Sequence, residues 1–232
     1  MGKLFGTDGI RGVVGENLTA DMAFRVGQAV GTVLMEEKGG RPTVVIGKDT
    51  RISSDMLEAA LTAGILSVGG DVLSVGTIPT PAVAFLARQE GADAGIVISA
   101  SHNPYEHNGI KLFSGQGYKL SDEVEGRIED RILSEAPMKL RTRGEIGRLV
   151  SDGGRRKVDY IDFVASTISE DLHGMRILVD CANGAASATA PELFGRFQAH
   201  TDFIHRAPDG VNINHRCGST HLEDLAAAVV RG

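Results

Sequence analysis

Two cysteines, Cys181 and Cys217, are all that the 232 residues contain. Neither stands in a C-x-x-C or other metal-ligand spacing, and a disulfide framework needs more of them. Both read as reduced small residues of a cytosolic protein. Long apolar runs are missing too. No 18-residue stretch could span a membrane, and the start of the chain has Lys3 but no apolar segment behind it, so no signal peptide is expected. The seven histidines form no H-E-x-x-H or H-x-H pattern, and there is no D-x-D-x-D, so no complete divalent-metal site is legible. The G-x-S-x-G elbow of esterases and the phosphate loop ending in Gly-Lys-Ser/Thr are both absent. Nor is there an excess of positive charge. Lys and Arg number 24 against 30 Asp and Glu, a net charge of −6. That argues against a general nucleic-acid binder, though not against a local basic pocket for a phosphorylated metabolite. No fixed-period repeat, low-complexity tract or coiled-coil heptad is present.

What is there is glycine, 30 residues of it, in a chain of ordinary apolar (42%) and charged (23%) content. Such a chain can bury a sizeable core and needs many tight turns. Short apolar runs at Thr43-Gly47, Asp71-Val75, Ala94-Ser99 and Ile110-Phe113 read as strands. Between them lie helical stripes. The first runs from Met22 to Leu34 behind Thr19 as N-cap. The second is Leu57, Leu61, Ile65 and Val68. The third is Val124, Ile128 and Ile132 behind Ser121, with Asp122 and Glu123 at the positive end of the helix dipole. The alternation predicts βαβ units and an α/β fold: a mixed, mostly parallel sheet with helices on both faces.

Residues 136–157 break the pattern with glycines and a basic cluster. They read as a solvated connection, with a short strand near Ile146-Val150. The alternation then restarts: a helix over Tyr160–Ile168, a strand at Arg176-Asp180, a helix near Ser187-Phe194, a strand at Thr201-Ile204, and a helix opened by the capping box Thr220-x-x-Glu223. The expected organisation is one complete α/β domain over 1–150 and a partial second α/β domain over 151–232, which stops on a helix with no strand after it.

The chemistry concentrates at strand ends, where open α/β sheets bind ligands. After the run Ala94–Ile98 come Ser99-Ala100-Ser101-His102-Asn103-Pro104, carrying a hydroxyl, an imidazole and a carboxamide. Ser101 is a candidate nucleophile or phosphate carrier; the alternative is a polar turn ended by Pro104. His102 is the immediate neighbour of Ser101, and adjacent side chains diverge, which disfavours a Ser-His hydrolase pair. A phosphoserine would bring about two negative charges and need cations around it. Lys111, in Asn108-Gly109-Ile110-Lys111, could reach the loop if the chain turns back after Pro104. Gly6–Gly12 is a glycine-framed loop whose Arg11 could clamp phosphate oxygens. Gly47-Lys48-Asp49-Thr50-Arg51 is either another basic strand-end loop or a structural Asp49–Arg51 turn. Pro79-Thr80-Pro81 reads as a rigid turn before a helix, and Cys181-Ala182-Asn183-Gly184 as a strand–helix loop.

Taken together, these segments resemble the α-D-phosphohexomutase superfamily, along the whole chain. The resemblance rests on Phe5–Gly12, Gly47–Arg51, Pro79-Thr80-Pro81, Ile98–Pro104 with Asn108–Lys111, Val179–Gly184, Val211–Asn214 and Cys217–Thr220. The opening with Asp8 and the Cys217-Gly218-Ser219-Thr220 segment point to its glucosamine branch. The resemblance implies an isomerase, an intramolecular phosphotransferase interconverting glucosamine 6-phosphate and glucosamine 1-phosphate through a phosphoserine at Ser101 and a bisphosphate intermediate. This reaction feeds UDP-N-acetylglucosamine and cell-wall synthesis. The alternatives are a phosphoglucomutase/phosphomannomutase, or a sugar-phosphate binding module without chemistry. Ser101, Lys111, Arg11 and His102 match the family's catalytic positions, and Ser101 matches a ligand of Mg2+. His107 departs from the Asp that close relatives carry there. The family's D-G-D-x-D-R metal loop and its later sugar- and phosphate-binding domains are not in this sequence, so this chain alone is expected to be inactive. The implied partner is a sugar phosphate, in the cytoplasm, with no nucleic acid or membrane; a homodimer is compatible with the reading.

Overall fold

A computed structural model describes residues 4–6, 9–134, 137–151, 153–170 and 172–231. Thr7, Asp8 and Asp152, which enter the sequence argument or its domain boundary, lie outside the described residues. Six strands form the main sheet: β1 (Ile10–Val13), β2 (Thr43–Lys48), β3 (Asp71–Thr77), β4 (Ala94–Ile98), β5 (His107–Ser114) and β6 (Leu149–Ser151), in the order β1-β5-β4-β2-β3-β6. The β3-β2-β4 centre and the β3-β6 pair are parallel, and β5 runs antiparallel to both β4 and β1. This is the mixed, mostly parallel sheet that the strand-helix alternation predicts.

Alternate strand residues face opposite sides, and each side has its own core. Val44, Ile46, Ala94, Ile96, Ile98 and Ile110 pack with α1 (Ala20–Lys38), α2 (Ser53–Ser67) and α4 (Asp122–Leu133). Val45, Val75 and Val97 pack with Ala82, Val83 and Leu86 of α3 (Thr80–Gln89). Caps fall where the sequence puts them. Thr19 Oγ1 accepts from Met22 N and Ser121 Oγ from Val124 N, while Pro79 caps α3 with Pro81 inside its first turn. Helices α1 and α2 cross in close contact. A Cβ on Gly64 would stand 2.2 Å from the Phe24 carbonyl oxygen, so a side chain there would force the helices apart.

The later residues form α5 (Arg155–Ser166), β7 (Arg176–Asp180), a 3-10 turn at Ala185–Ala188, α6 (Ala190–Phe194), β8 (His200–Ile204), a 3-10 turn at Gly218–Thr220 and α7 (Glu223–Arg231). β7 and β8 make a parallel two-stranded sheet. α5 docks on α3: Phe85 stacks on Phe163 at 4.2 Å and Arg156 pairs with Glu90 at 2.9 Å.

Four expectations change. Ile10–Gly12, the end of the loop read over Gly6–Gly12, belong to the edge strand β1, whose backbone pairs with β5 from Ile10↔Ile110 to Val13↔His107. In the connection over 136–157, the strand expected near Ile146–Val150 forms as β6, but basic residues around it are engaged rather than solvated. Arg141 reaches Met35 and Glu145, β6 extends the sheet across the expected 150/151 boundary, and Arg155–Lys157 open α5. Thr220 does not cap α7. It closes a 3-10 turn begun by Gly218 at φ 76°, and the helix starts at Glu223. The helix expected near Ser187–Phe194 is split by Thr189, with a 3-10 turn before it and α6 after it. Among the described residues, no helix is long and apolar enough to cross a membrane.

Candidate functional site

Strand β4 ends at Ile98, and the chain turns through Ser99–Glu106 into the antiparallel β5, as Lys111 required. Ser101 stands at φ 59°, a left-handed conformation that few non-glycine residues adopt. The residue is exposed, and its N–H donates to Ser99 Oγ at 3.1 Å. Behind it, Ser99 N donates to Gly109 O at 2.9 Å. Gly109 has to be glycine: an added Cβ would meet the Ser99 carbonyl oxygen at 2.9 Å and Arg11 Cγ at 3.0 Å.

The loop's carbonyl side is held by a buried cation. Arg51 is only 2% exposed. Its Nη2 donates to Ser101 O at 3.0 Å and Asn103 O at 2.9 Å, and its Nη1 to Pro104 O. Asp49 supplies the counter-charge. It accepts from Arg51 Nε at 2.9 Å and from Arg51 N and Ser54 Oγ, each at 3.1 Å. Of the two readings of Gly47–Arg51, the structural turn is the one realised. Arg51 faces loop carbonyls, away from solvent. Lys48 turns to Asp55 and Glu58. Burial pulls its pKa down, but the hydrogen bonds and charges of those carboxylates outweigh this and hold it above the ordinary lysine value. Asn108, fully buried, donates to Ser53 and Ser54 Oγ and accepts from Gly109 N, so β5 is tied to the start of α2.

The second sheet contributes Asn214. Its Nδ2 donates to Ser101 O at 2.9 Å and Asn103 O at 3.0 Å, the two carbonyls that Arg51 Nη2 also reaches. Thr50 Oγ1 donates to Asn183 O at 2.6 Å and Ile52 N to Gly210 O at 2.8 Å, sealing the same junction.

A sequence comparison now bears on this loop. The sequence model for phosphoglucomutase/phosphomannomutase, alpha/beta/alpha domain I, matches residues 2–139. The chain belongs to the phosphoglucomutase/phosphomannomutase family. Among curated relatives, a phosphoglucosamine mutase of Clostridium botulinum is 52% identical over all of this chain and 51% of its own length. One of Moorella thermoacetica is 56% identical over 99% of this chain and 52% of its own. A solved phosphoglucomutase/phosphomannomutase family protein of Burkholderia thailandensis superposes with a TM-score of 0.79 at 28% identity, over 98% of this chain and 49% of that one. The chain thus spans about half the length of the proteins it matches.

In this member of the phosphoglucomutase/phosphomannomutase family, the four residues singled out from sequence divide between faces and cavities. Arg11 pairs with Gly109 across β1 and β5, and Lys111 lies two residues further along β5, so both stand on the sheet face opposite the Ile10/Ile110 core. Lys111 lines a cavity of about 270 Å³ with Gly9, Thr80, Phe113, Lys119 and Glu125. His102 lines a different one, of about 300 Å³, with Tyr105, Asn214, Arg216 and His221. A larger cavity, about 530 Å³ between β7 and α7, shares no residue with the Ser101 loop.

Asp180, His205 and Cys217 are grouped with their ligand-type atoms within 4.8 Å of one another. Asp180 Oδ1 accepts from Ala182 N at 2.8 Å and lies 3.1 Å from His205 Nδ1, while Oδ2 accepts from Gly218 N at 2.8 Å. With both oxygens engaged, Asp180 acts as a hub joining the ends of β7 and β8 to the 217–218 turn. Burial, followed by the charges of Asp180 and Asp224, raises the Cys217 pKa and keeps a thiol there.

The loop-holding roles of Arg51 and Asn214 are not legible in the sequence. Arg51 has a signal of its own in the Asp49–Arg51 turn; Asn214 lies in a segment that carries the resemblance and has no other.

Proposed function

We propose that this chain is the amino-terminal part of a phosphoglucosamine mutase and that Ser101 carries the phosphoryl group. One observation carries the reading. Ser101 is an exposed residue on a loop whose carbonyls are immobilised from behind, in a chain 52–56% identical to curated phosphoglucosamine mutases. Phosphoryl transfer asks the protein mainly for positioning and charge stabilisation. A side chain aimed outward from a fixed backbone meets the first demand.

In this reading, phosphorylated Ser101 loses its group as the Oγ–P bond breaks and a hydroxyl of glucosamine 6-phosphate forms the new O–P bond. The hydroxyl's proton leaves, and Oγ takes one up. The bisphosphate turns over and returns its other phosphoryl group to Ser101, releasing glucosamine 1-phosphate. Lys111 and Arg11 serve as the cations that stabilise the moving phosphoryl charge and assist proton transfer, and His102 lines the approach from the other side.

Magnesium is the ion that the resemblance implies, and it prefers oxygen ligands in octahedral geometry. Ser101 offers one such oxygen. The Asp180–His205–Cys217 group includes a thiol and suits a softer metal. The described residues therefore do not make up a complete magnesium site, and no step above is routed through the ion. A sugar phosphate as partner and a cytoplasmic setting belong to the same proposal.

The test is turnover of glucosamine 6-phosphate by the full-length polypeptide that carries this chain. Ser101→Ala should abolish turnover while leaving the chain's stability within about 0.5 kcal/mol, as befits an exposed side chain. Wild-type turnover in that variant would refute the carrier role.

A further inference from the structure

The ends of β7 and β8 and the segment after them hold five non-glycine residues at positive φ: Ala182 (52°), Asn183 (49°), His205 (47°), Asn214 (59°) and Arg216 (52°). Such conformations persist where surrounding bonds over-determine them, and the surroundings here can be named. Asn183 N donates to His205 O at 2.6 Å, and Asn214 N donates to Ala182 O at 2.9 Å. Asn183 Oδ1 accepts from Ala207 N at 3.1 Å, and the Asp180 carboxylate ties Ala182 to Gly218. The strained backbone forms a rigid mount. The side chain it delivers to the Ser101 loop is that of Asn214, donating to Ser101 O and Asn103 O across 113 and 111 residues of chain.

We propose that Asn214 is a positioning residue for Ser101: its carboxamide fixes the Ser101 carbonyl and so sets the direction in which Oγ leaves the loop. The proposal rests on the carrier reading above and adds a residue from the second sheet to it. The reasoning is geometric. At Ser101 the carbonyl and the side chain share one Cα, so pinning the carbonyl and holding the N–H on Ser99 Oγ leaves the hydroxyl only its own rotamers. Arg51 alone supplies one nitrogen to both the Ser101 and Asn103 carbonyls. Asn214 brings a second, independent donor to the same pair, from the opposite side of the junction. Orientation of the Ser101 hydroxyl is thereby conditional on the second sheet being seated against the first.

Two variants separate this from space filling. Asn214→Ala removes the donor, whereas Asn214→Asp keeps the shape but sets a carboxylate against two carbonyl oxygens. In the 232-residue chain, hydrogen exchange at the Ser101 and Asn103 amides should speed up in the order wild type, Ala, Asp, by roughly tenfold at the far end. The melting temperature should move little. In the full-length polypeptide kcat should fall in the same order, with KM held within about twofold, as expected when orientation rather than binding is lost. Unchanged exchange, an Asp variant no worse than Ala, or faster exchange with kcat intact would each overturn the proposal. If the wild-type polypeptide neither turns over sugar phosphate nor carries phosphate on Ser101, the carrier reading fails, and the exchange series still decides whether Asn214 holds the loop.

Discussion

Arg51 Nη2 lies 3.0 Å from the carbonyl oxygen of Ser101, and the guanidinium that carries it has no exposed side-chain surface. A buried cation is tolerated because Asp49 neutralises it and three loop carbonyls accept from its two terminal nitrogens. The loop bearing the candidate phosphoryl carrier is therefore built on an ion pair inside the protein.

Breaking that pair from the acidic side should be severe. Asp49→Ala leaves Arg51 charged and buried without its counter-ion, which costs about 3–5 kcal/mol. Urea unfolding of the chain measures this, and a loss below about 1 kcal/mol would mean that water reaches Arg51.

Gly109→Ala places a methyl group 2.9 Å from the Ser99 carbonyl oxygen and 3.0 Å from Arg11 Cγ. β5 must shift from β1 or from the start of the loop, and such overpacking costs about 1–3 kcal/mol. Thermal melting should show the loss. A crystal structure of the variant should show Ser99–Ser101 displaced.

Lys48 gives a prediction in pH. Although burial opposes its charge, Asp55 and Glu58 raise its pKa above the unfolded value of 10.5. A raised lysine pKa means that the charged form is favoured by folding. Its stabilisation is complete below about pH 10.5 and is lost as pH rises through the folded value. The difference in melting temperature between wild type and Lys48→Met should therefore stay constant from neutral pH, where Asp55 and Glu58 are ionised, up to that pH and shrink above it. A difference that grows with alkalinity would contradict the pairing.

Much of the fold was legible because it is local. Thr19 and Ser121 cap the helices they precede, and the apolar stripes of α1, α2 and α4 face one side of the sheet. β1 was not legible. Ile10-Arg11-Gly12-Val13 has neither an apolar run nor a clean alternation, and only pairing with β5, about a hundred residues later, makes it a strand. Thr220 misled for the opposite reason. Its T-x-x-E spacing is a sound local signal, overridden by the turn that Gly218 starts. The site shows the same division. Ser101 was visible as a hydroxyl at a strand end. The roles of Arg51 and Asn214 depend on contacts across 50 and 113 residues that no periodicity records.

The most direct test of the central claim is peptide mass spectrometry of the full-length polypeptide, purified and then incubated with a hexose 1,6-bisphosphate. The account predicts a single phosphorylated peptide with the group on Ser101, renewed at each turnover so that isotopically labelled phosphate from excess glucosamine 6-phosphate appears on Ser101. Unmodified Ser101 in a polypeptide that turns over its substrate, or phosphate residing on another residue, would contradict it.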